Sequence, residues 1–552
     1  MHSTPSPARD DQAPGATDQP PPGTATGAFP DDHAAHDPDR VAFRMARSGE
    51  VVTYGALVDR SRRIARHLRE RGLVHGDAIA LLMHNEPAFL EVAWGAQRSG
   101  LRYTAVSSRL TGPEVAYILQ DSGARVLFVS PGCLPVARDA LTALTEEFPQ
   151  APVPELVVTG GPAEGVEDLD RLLEPVPANP PLDDEVEGID LLYSSGTTGR
   201  PKGVEDVLPL NPLGTPPGIA AMLRSTYGFD RDTVYLSPAP LYHSAPLRFN
   251  MTVHRAGGQC IVMERFDALE ALELIERHRV THAVMVPTMF VRMLKLPEEQ
   301  RRRFDVSSLQ VVIHAAAPCP ADVKRAMIEW FGPVVHEFYS ATENNLFTAI
   351  TSEEALERPG SVGRAKLGIA HILDDEGREL PPGEIGTIWA EDGPRFTYRN
   401  DPEKTAASRN ERGWTTVGDV GYLDEDGYLY MSDRRADLVL SGGVNIYPQE
   451  AESALITHPK VADVAVFGVP HDELGQEVKA VVQVAEGATP GPELAEELLA
   501  FVQGRLAKFK CPRSIDFADE LPRHPTGKLY KRLLRDRYLA AHERGTTPDL
   551  RF

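Results

Sequence analysis

Apolar positions along this chain follow two alternating rhythms. Val41-Ala-Phe-Arg-Met45 and Val51-Val-Thr-Tyr54 flank the turn Ser48-Gly-Glu50 and read as a hairpin. Leu57, Ile64, Ala65 and Leu68 then recur at helical spacing, and Gly72 ends that helix. Asp77-Ala-Ile-Ala-Leu-Leu-Met83 is a nearly unbroken apolar run, as a strand covered on both faces would be, and a further helical stretch ends at Gly100. The alternation continues through Ala124-Arg-Val-Leu-Phe-Val129 and past residue 310. Strands alternating with helices predict an α/β architecture with largely parallel sheets.

The rhythm changes after residue 390. From Trp414 to Met431 the chain is dense in Gly, Asp and aromatic residues, as short strands joined by tight turns require. A charged knot follows at Asp433-Arg-Arg-Ala-Asp437, and beyond it the pattern is compact α+β. There Val461-Ala-Asp-Val-Ala-Val-Phe467 and Lys479-Ala-Val-Val-Gln-Val484 read as strands, while Leu494, Leu498, Phe501, Val502 and Leu506 line one helix face. At the other end, the first residues are rich in Pro, Gly, Ser, Thr and Asp, with Phe29 the one large apolar side chain. Such a segment cannot bury enough surface to offset its ordering entropy. The expected division is therefore a disordered tail over residues 1–35, a large domain over 36–432 and a small domain over 433–552.

Composition narrows the class. The chain has 552 residues, beyond the roughly 250–300 that one hydrophobic core supports, which agrees with at least two domains. Its net charge is −23, with no block of Lys or Arg, so nucleic acid is not an expected partner. Cys133, Cys260, Cys319 and Cys511 are scattered without CxxC spacing, which argues against a zinc site or disulfide scaffold and fits a reducing compartment. No apolar run reaches the ~18 residues of a membrane span, and no signal-type apolar segment opens the chain. A cytoplasmic enzyme is expected, with monomer and homodimer both open.

The richest stretch chemically is Tyr193-Ser-Ser-Gly-Thr-Thr-Gly-Arg-Pro-Lys-Gly-Val204, which follows the apolar run Ile189-Asp-Leu-Leu192. Ser194, Ser195, Gly196, Thr197, Thr198 and Gly199 combine backbone access with hydroxyl donors, and Arg200 and Lys202 supply charge. That mixture suits a loop wrapped around polyphosphate. The GxxxxGK[ST] spacing is absent, so this is not a P-loop of that kind, and a Ser/Thr/Gly-rich surface turn is the plain alternative.

The string is similar to the phosphate loop of the acyl-CoA synthetase, luciferase and peptide-synthetase adenylation superfamily. Further elements resemble that superfamily in the same order. Phe338-Tyr-Ser-Ala-Thr-Glu343 resembles its Tyr-Gly-x-Thr-Glu element, Gly413-Trp-Thr-Thr-Val-Gly-Asp419 its ribose-binding element, and Asp433-Arg434 its hinge and arginine. Ser441-Gly-Gly-Val-Asn-Ile-Tyr-Pro448 resembles its thiol-tunnel loop and Pro525-Thr-Gly-Lys528 its C-terminal lysine element. Pro240-Leu-Tyr-His-Ser-Ala-Pro-Leu247, His314-Ala-Ala-Ala-Pro-Cys-Pro320 and Gly360-Ser-Val-Gly-Arg364 are similar to bacterial fatty acyl and bile acid CoA ligases. The resemblance spans roughly residues 40 to 540.

The resemblance implies a large domain of layered α/β sheets with a distorted β-barrel part, and a small mobile α+β domain. It implies that Tyr339 stacks on adenine, that Thr342 faces the phosphates and that Glu343 holds Mg2+. Ala316, Ala317, Pro318, Ser340 and Ala341 would line the nucleotide, and Asp419 and Arg434 would take the ribose, although Val417 stands where Thr is usual. Lys528 would complete adenylation. The small domain would then turn about Asp433 and bring Gly442 and Gly443 beside CoA. The implied reaction joins an acid to AMP with release of pyrophosphate, then passes the acyl group to a CoA thiol. Other acceptors stay open: a carrier protein, an amine, or an aryl amine receiving activated nitrite in a diazotase.

For the acid itself, His243 and His314 fall where the superfamily borders its acyl pocket, with His243 as a gate. A histidine satisfied within the wall is the plain alternative for His314. Relatives often carry Gly after the Glu, whereas Asn344 and Asn345 stand here. Two amides fill volume and add polar groups, favouring a short or polar acid, unless they merely tie the loop.

Overall fold

The protein is described here from a computed structural model covering residues 29–194, 201–434, 437–441, 444–471, 473–523, 529–544 and 546–551. Order begins earlier than composition suggested. Pro30–His36 is a helix inside the segment assigned to the tail. Phe29 explains the correction: it is buried edge-on against Trp94, with ring centroids 5.1 Å apart, and the guanidinium groups of Arg98 and Arg255 lie over its ring. Asp31 then pairs with Arg62 at 2.6 Å and Arg98 at 2.7 Å.

Two sheets build the N-terminal bulk. One is six-stranded and parallel throughout, in the order Glu167–Asp168, Glu155–Val158, Ala124–Val129, Ala78–Leu82, Arg102–Val106, Ile189–Asp190. Its central strand, Ala78–Leu82, is buried along its whole length, which is why it reads as a continuous apolar run. The other sheet joins thirteen strands among the described residues. The expected hairpin, Val41–Met45 with Val51–Thr53, forms one edge. From there, Gln259–Val262, Val234–Ser237, His282–Met285, Val311–His314 and Val335–Ser340 run parallel to one another.

At Val335–Ser340 the sheet changes character. Phe347–Ile350 returns antiparallel beside it, and Ser361–Leu367, Leu429–Arg434, Asp419–Leu423, Gly386–Glu391 and Ile369–Leu373 continue antiparallel. Residues 341–346 therefore form the link at the carboxyl end of the last parallel strand, the place where open α/β sheets usually take their ligands. Phe338 secures that strand from below, stacked on Phe347 at 5.0 Å and Phe249 at 6.0 Å.

A third sheet gathers Val444–Ile446, Val439–Ser441, Gly475–Val484, Val461–His471 and Ser514–Phe517. Val464 and Val466 face a core with Leu494, Leu498 and Val502, while Ala465 and Phe467 face one with Leu534 and Tyr538. The period of two thus covers both faces with helices. Lys295 reaches across from the N-terminal bulk to the carbonyl of Val461. Among the described residues, no helix is long and apolar enough to cross a membrane.

Candidate functional site

Two antiparallel strands flank the glycine- and hydroxyl-rich stretch. Leu192–Ser194 runs antiparallel to Lys202–Glu205, with Ser194 opposite Lys202 and Tyr193 opposite Gly203. Ser195, Gly196, Thr197, Thr198, Gly199 and Arg200 lie outside the described residues. Both legs of the hairpin are anchored. The Tyr193 hydroxyl donates to Asp121 Oδ2 at 2.6 Å, and Arg399 binds the Asp121 carbonyl at 2.8 Å and Glu205 at 2.7 Å. Gly203 is required by this closeness. A Cβ there would stand 3.0 Å from the Tyr193 ring and 3.2 Å from Asp121 Oδ2.

Thr397–Tyr398 adds a third strand to the hairpin, with Tyr398 opposite Val204. This carries Tyr398 to Glu343. Its hydroxyl donates to Glu343 Oε1 at 2.8 Å, and the Lys202 ammonium sits 5.0 Å from the centroid of its ring. Burial, then the Glu343 carboxylate, push the Tyr398 phenol well above its ordinary pKa, so it remains a neutral donor. Sequence reasoning missed Tyr398. The signal was modest: Phe396 and Tyr398 alternate as a strand would, and both pack against Val204.

A second pair lies close by, near enough for the Asp419 charge to act on the Tyr398 phenol. The Tyr339 hydroxyl donates to Asp419 Oδ2 at 2.7 Å, and Asp419 is buried at the start of its strand. Arg434 pairs with Asp419 across the sheet and Asp433 pairs with Val420, although only the backbone of these two is described. Ser340 Oγ donates to the Leu346 carbonyl at 2.8 Å and so closes the link; Ala341 and Thr342 stay half-buried in it. Ala316, Ala317 and Pro318 are exposed at the carboxyl end of Val311–His314, with Ala316 at a φ of 71°. Gly442, Gly443 and Lys528 fall outside the described residues.

The pocket assignments divide. His243 is half-buried at the N-cap of the helix Ser244–Ala256, with Tyr242 at 4.6 Å between ring centroids. His314 is fully buried edge-on against Phe290, with Nδ1 3.7 Å from Glu337. Burial, followed by the nearby Lys324 ammonium, holds its pKa far below that of a free imidazole, so it is neutral. The Asn345 amide donates to Thr415 Oγ1 at 3.2 Å, tying the link to its neighbour. Asn344 sits in left-handed backbone at a φ of 52°, a conformation glycine takes freely and asparagine tolerates. The residue is buried and, among the described residues, its side-chain amide makes no hydrogen bond.

Two carboxylates, two phenols and a lysine thus converge at the ends of the parallel strands. The set suits a nucleotide: Lys202 for phosphate charge, Asp419 for paired sugar hydroxyls, and the faces of Tyr339 and Ala316–Pro318 for a base. Comparison with known proteins agrees. The AMP-binding enzyme model matches residues 30–395, and the AMP-binding enzyme C-terminal domain model matches 450–528. The chain is 33% identical to a fatty acid–[acyl-carrier-protein] ligase, ScoC of Streptomyces coeruleorubidus, over 92% of this chain and 95% of that one. It is 32% identical to an indoleacetate–CoA ligase of Aromatoleum aromaticum, over 91% and 96% respectively. Among solved structures, ATP-bound MatB from Rhodopseudomonas palustris superposes with a TM-score of 0.76 at 30% identity, covering 92% of this chain and 99% of that one. The chain belongs to the AMP-binding enzyme family, and it is an AMP-forming ligase of the acid–CoA ligase type, which activates an acid with ATP as its adenylate.

Proposed function

We propose that this ligase couples a short or polar carboxylic acid to CoA, through an acyl-adenylate and with release of pyrophosphate. The observation that carries the reading is the convergence of Glu343, Tyr398 and Lys202 with Tyr339 and Asp419 at the link. An acid oxygen attacking the α-phosphate brings anions together, so the site must align and neutralise them. Lys202 and the hydroxyl-rich stretch would hold the departing pyrophosphate, and Asp419 with Arg434 would fix the ribose. Lys528 would face the reacting oxygens.

Glu343 suits Mg2+, which takes one or two protein carboxylates together with phosphate oxygens. The phenol occupies Oε1, and among the described residues Oε2 makes no hydrogen bond. Bound there, the ion would lower the charge repulsion around the triphosphate. The small domain over 433–552 would then rotate about Asp433 and exchange Lys528 for the Gly442–Gly443 loop, admitting the thiol. Supporting CoA as acceptor is the kinship with CoA ligases; the relative named for an acyl carrier protein marks the nearest competing acceptor. The cytoplasm supplies ATP and CoA, and the four cysteines are free thiols, three of them buried.

Exchange of labelled pyrophosphate into ATP over a panel of acids, nitrite included, tests the first half. The expected result is exchange with short or polar carboxylates and AMP release on adding CoA. Exchange with nitrite alone, followed by CoA-independent consumption of an aryl amine, would overturn the thioester reading. Lys528→Ala should lower exchange by at least 100-fold, the scale of one charged transition-state contact. Thioester formation from supplied acyl-adenylate should persist in that variant. Equal loss of both steps would remove the two-position account.

A further inference from the structure

We infer that Tyr398 is a positioning residue for adenylation, one side chain that sets the spacing between the cation-binding carboxylate and the phosphate-loop lysine. The inference deepens the proposed function and rests on its placing of Mg2+ at Glu343.

Three observations carry it. The strand Thr397–Tyr398 is hydrogen-bonded to the leg of the hairpin that begins at Lys202, so its position and the lysine's are fixed by one register. Its hydroxyl bonds Glu343 Oε1 at 2.8 Å while its ring face carries the Lys202 ammonium at 5.0 Å. The side chain cannot drift, because it is buried against Phe396 at 5.3 Å and its backbone N–H donates to Thr405 Oγ1 at 2.9 Å. A neutral phenol is the chemistry such a position needs. A carboxylate and an ammonium in direct contact neutralise each other, and each is then less available to its own ligand. A phenol holds the carboxylate by one hydrogen bond and the ammonium by its ring, leaving the second carboxylate oxygen for a cation.

Binding of Mn2+, as a paramagnetic stand-in for Mg2+, tests this in the presence of a non-cleavable α,β-methylene ATP and without any acid. Electron spin resonance reads the free ion directly. Tyr398→Phe should weaken Mn2+ binding roughly tenfold, the size of one hydrogen bond to a charged group. In pyrophosphate exchange the same variant should raise the Mg2+ requirement similarly and leave the KM for the acid unchanged. Tyr398→His, which restores a donor, should recover part of the loss. In the Glu343→Gln background, Tyr398→Phe should cost nothing further, because the two act as one unit. Wild-type Mn2+ affinity in Tyr398→Phe would overturn the inference, as would full additivity with Glu343→Gln. Tyr398→Leu guards against a purely structural effect: a lowered melting temperature with unchanged Mn2+ binding would assign Tyr398 to packing alone. Failure of every acid in the exchange assay would sink the proposed function without touching the Mn2+ measurement.

Discussion

Glu337 and Glu343 lie six residues apart and are almost equally buried, at 4% and 6% exposure, yet their surroundings differ in kind. Glu337, on the last parallel strand, is paired with Lys324 from the helix Ala321–Phe331, and neutral His314 stands on its other side. The fold itself supplies its counter-charge. Glu343, just beyond the strand, receives a phenol as its one hydrogen-bond donor among the described residues, while the Lys202 ammonium lies over that phenol's ring. Burial alone therefore does not separate a carboxylate closed by the fold from one proposed to meet a ligand. The partner does: a cation fixed by the fold closes the site, and a neutral donor leaves a charge to be completed by a ligand.

The largest expected effect breaks the closed half. Lys324→Met leaves Glu337 buried without its counter-charge, and such losses cost about 3–5 kcal/mol. Urea unfolding should show that loss, and Lys324→Met combined with Glu337→Leu should recover most of it. Glu343→Gln is the contrasting control. Its unfolding free energy should stay within about 1 kcal/mol of wild type, since no fixed cation is orphaned. If Lys324→Met were as stable as wild type, the two carboxylates would not differ as described.

Acid sharpens the same contrast. Burial lowers the folded pKa of His314 far below the ~6.5 of an unfolded histidine. The unfolded chain therefore takes up the proton first, so the contribution is complete above pH ~6.5 and is lost as pH falls below it. The loss should grow steadily as pH is lowered from 6.5 to 5. Unfolding of wild type and His314→Gln at pH 7 and pH 5 measures it, and the variant should show a shallower fall. An unchanged slope would place the acid sensitivity elsewhere.

Much of this was legible in the sequence because it depends on local pattern. The apolar run at Ala78–Leu82 and the alternation at Val461–His471 each identify an element without reference to its neighbours. Glu343, Asp419 and Lys202 could be singled out in the sequence because their motifs are contiguous. What stayed hidden depends on partners far along the chain. Phe29 orders the first helix only because Trp94, Arg98 and Arg255 converge on it. Tyr398 matters through Glu343, 55 residues away. His314 and Asn345 occupy positions where resemblance suggests a pocket, but each points into the protein, and one-dimensional spacing does not encode that direction.

The smallest expected effect repeats the comparison within one dipeptide. Asn345 has its side-chain partner in Thr415, whereas the side chain of buried Asn344 makes no hydrogen bond among the described residues. Asn344→Gly preserves the backbone, because glycine adopts a φ of 52° without strain, so stability should change by less than about 1 kcal/mol. Any change in acid preference then belongs to the lost amide and its volume. Exchange rates over straight-chain acids of increasing length should shift several-fold toward the longer members, with the KM for ATP unchanged, since a methylene in such a pocket is worth about 1–3 kcal/mol at most. Asn345→Ala should instead lower stability by about 1 kcal/mol and leave the acid profile alone, as loss of one neutral hydrogen bond does. If both variants behaved alike, the unpartnered amide would be a loop tie like its neighbour, and acid selection would have to arise elsewhere, with His243 at the helix N-cap the next position to change.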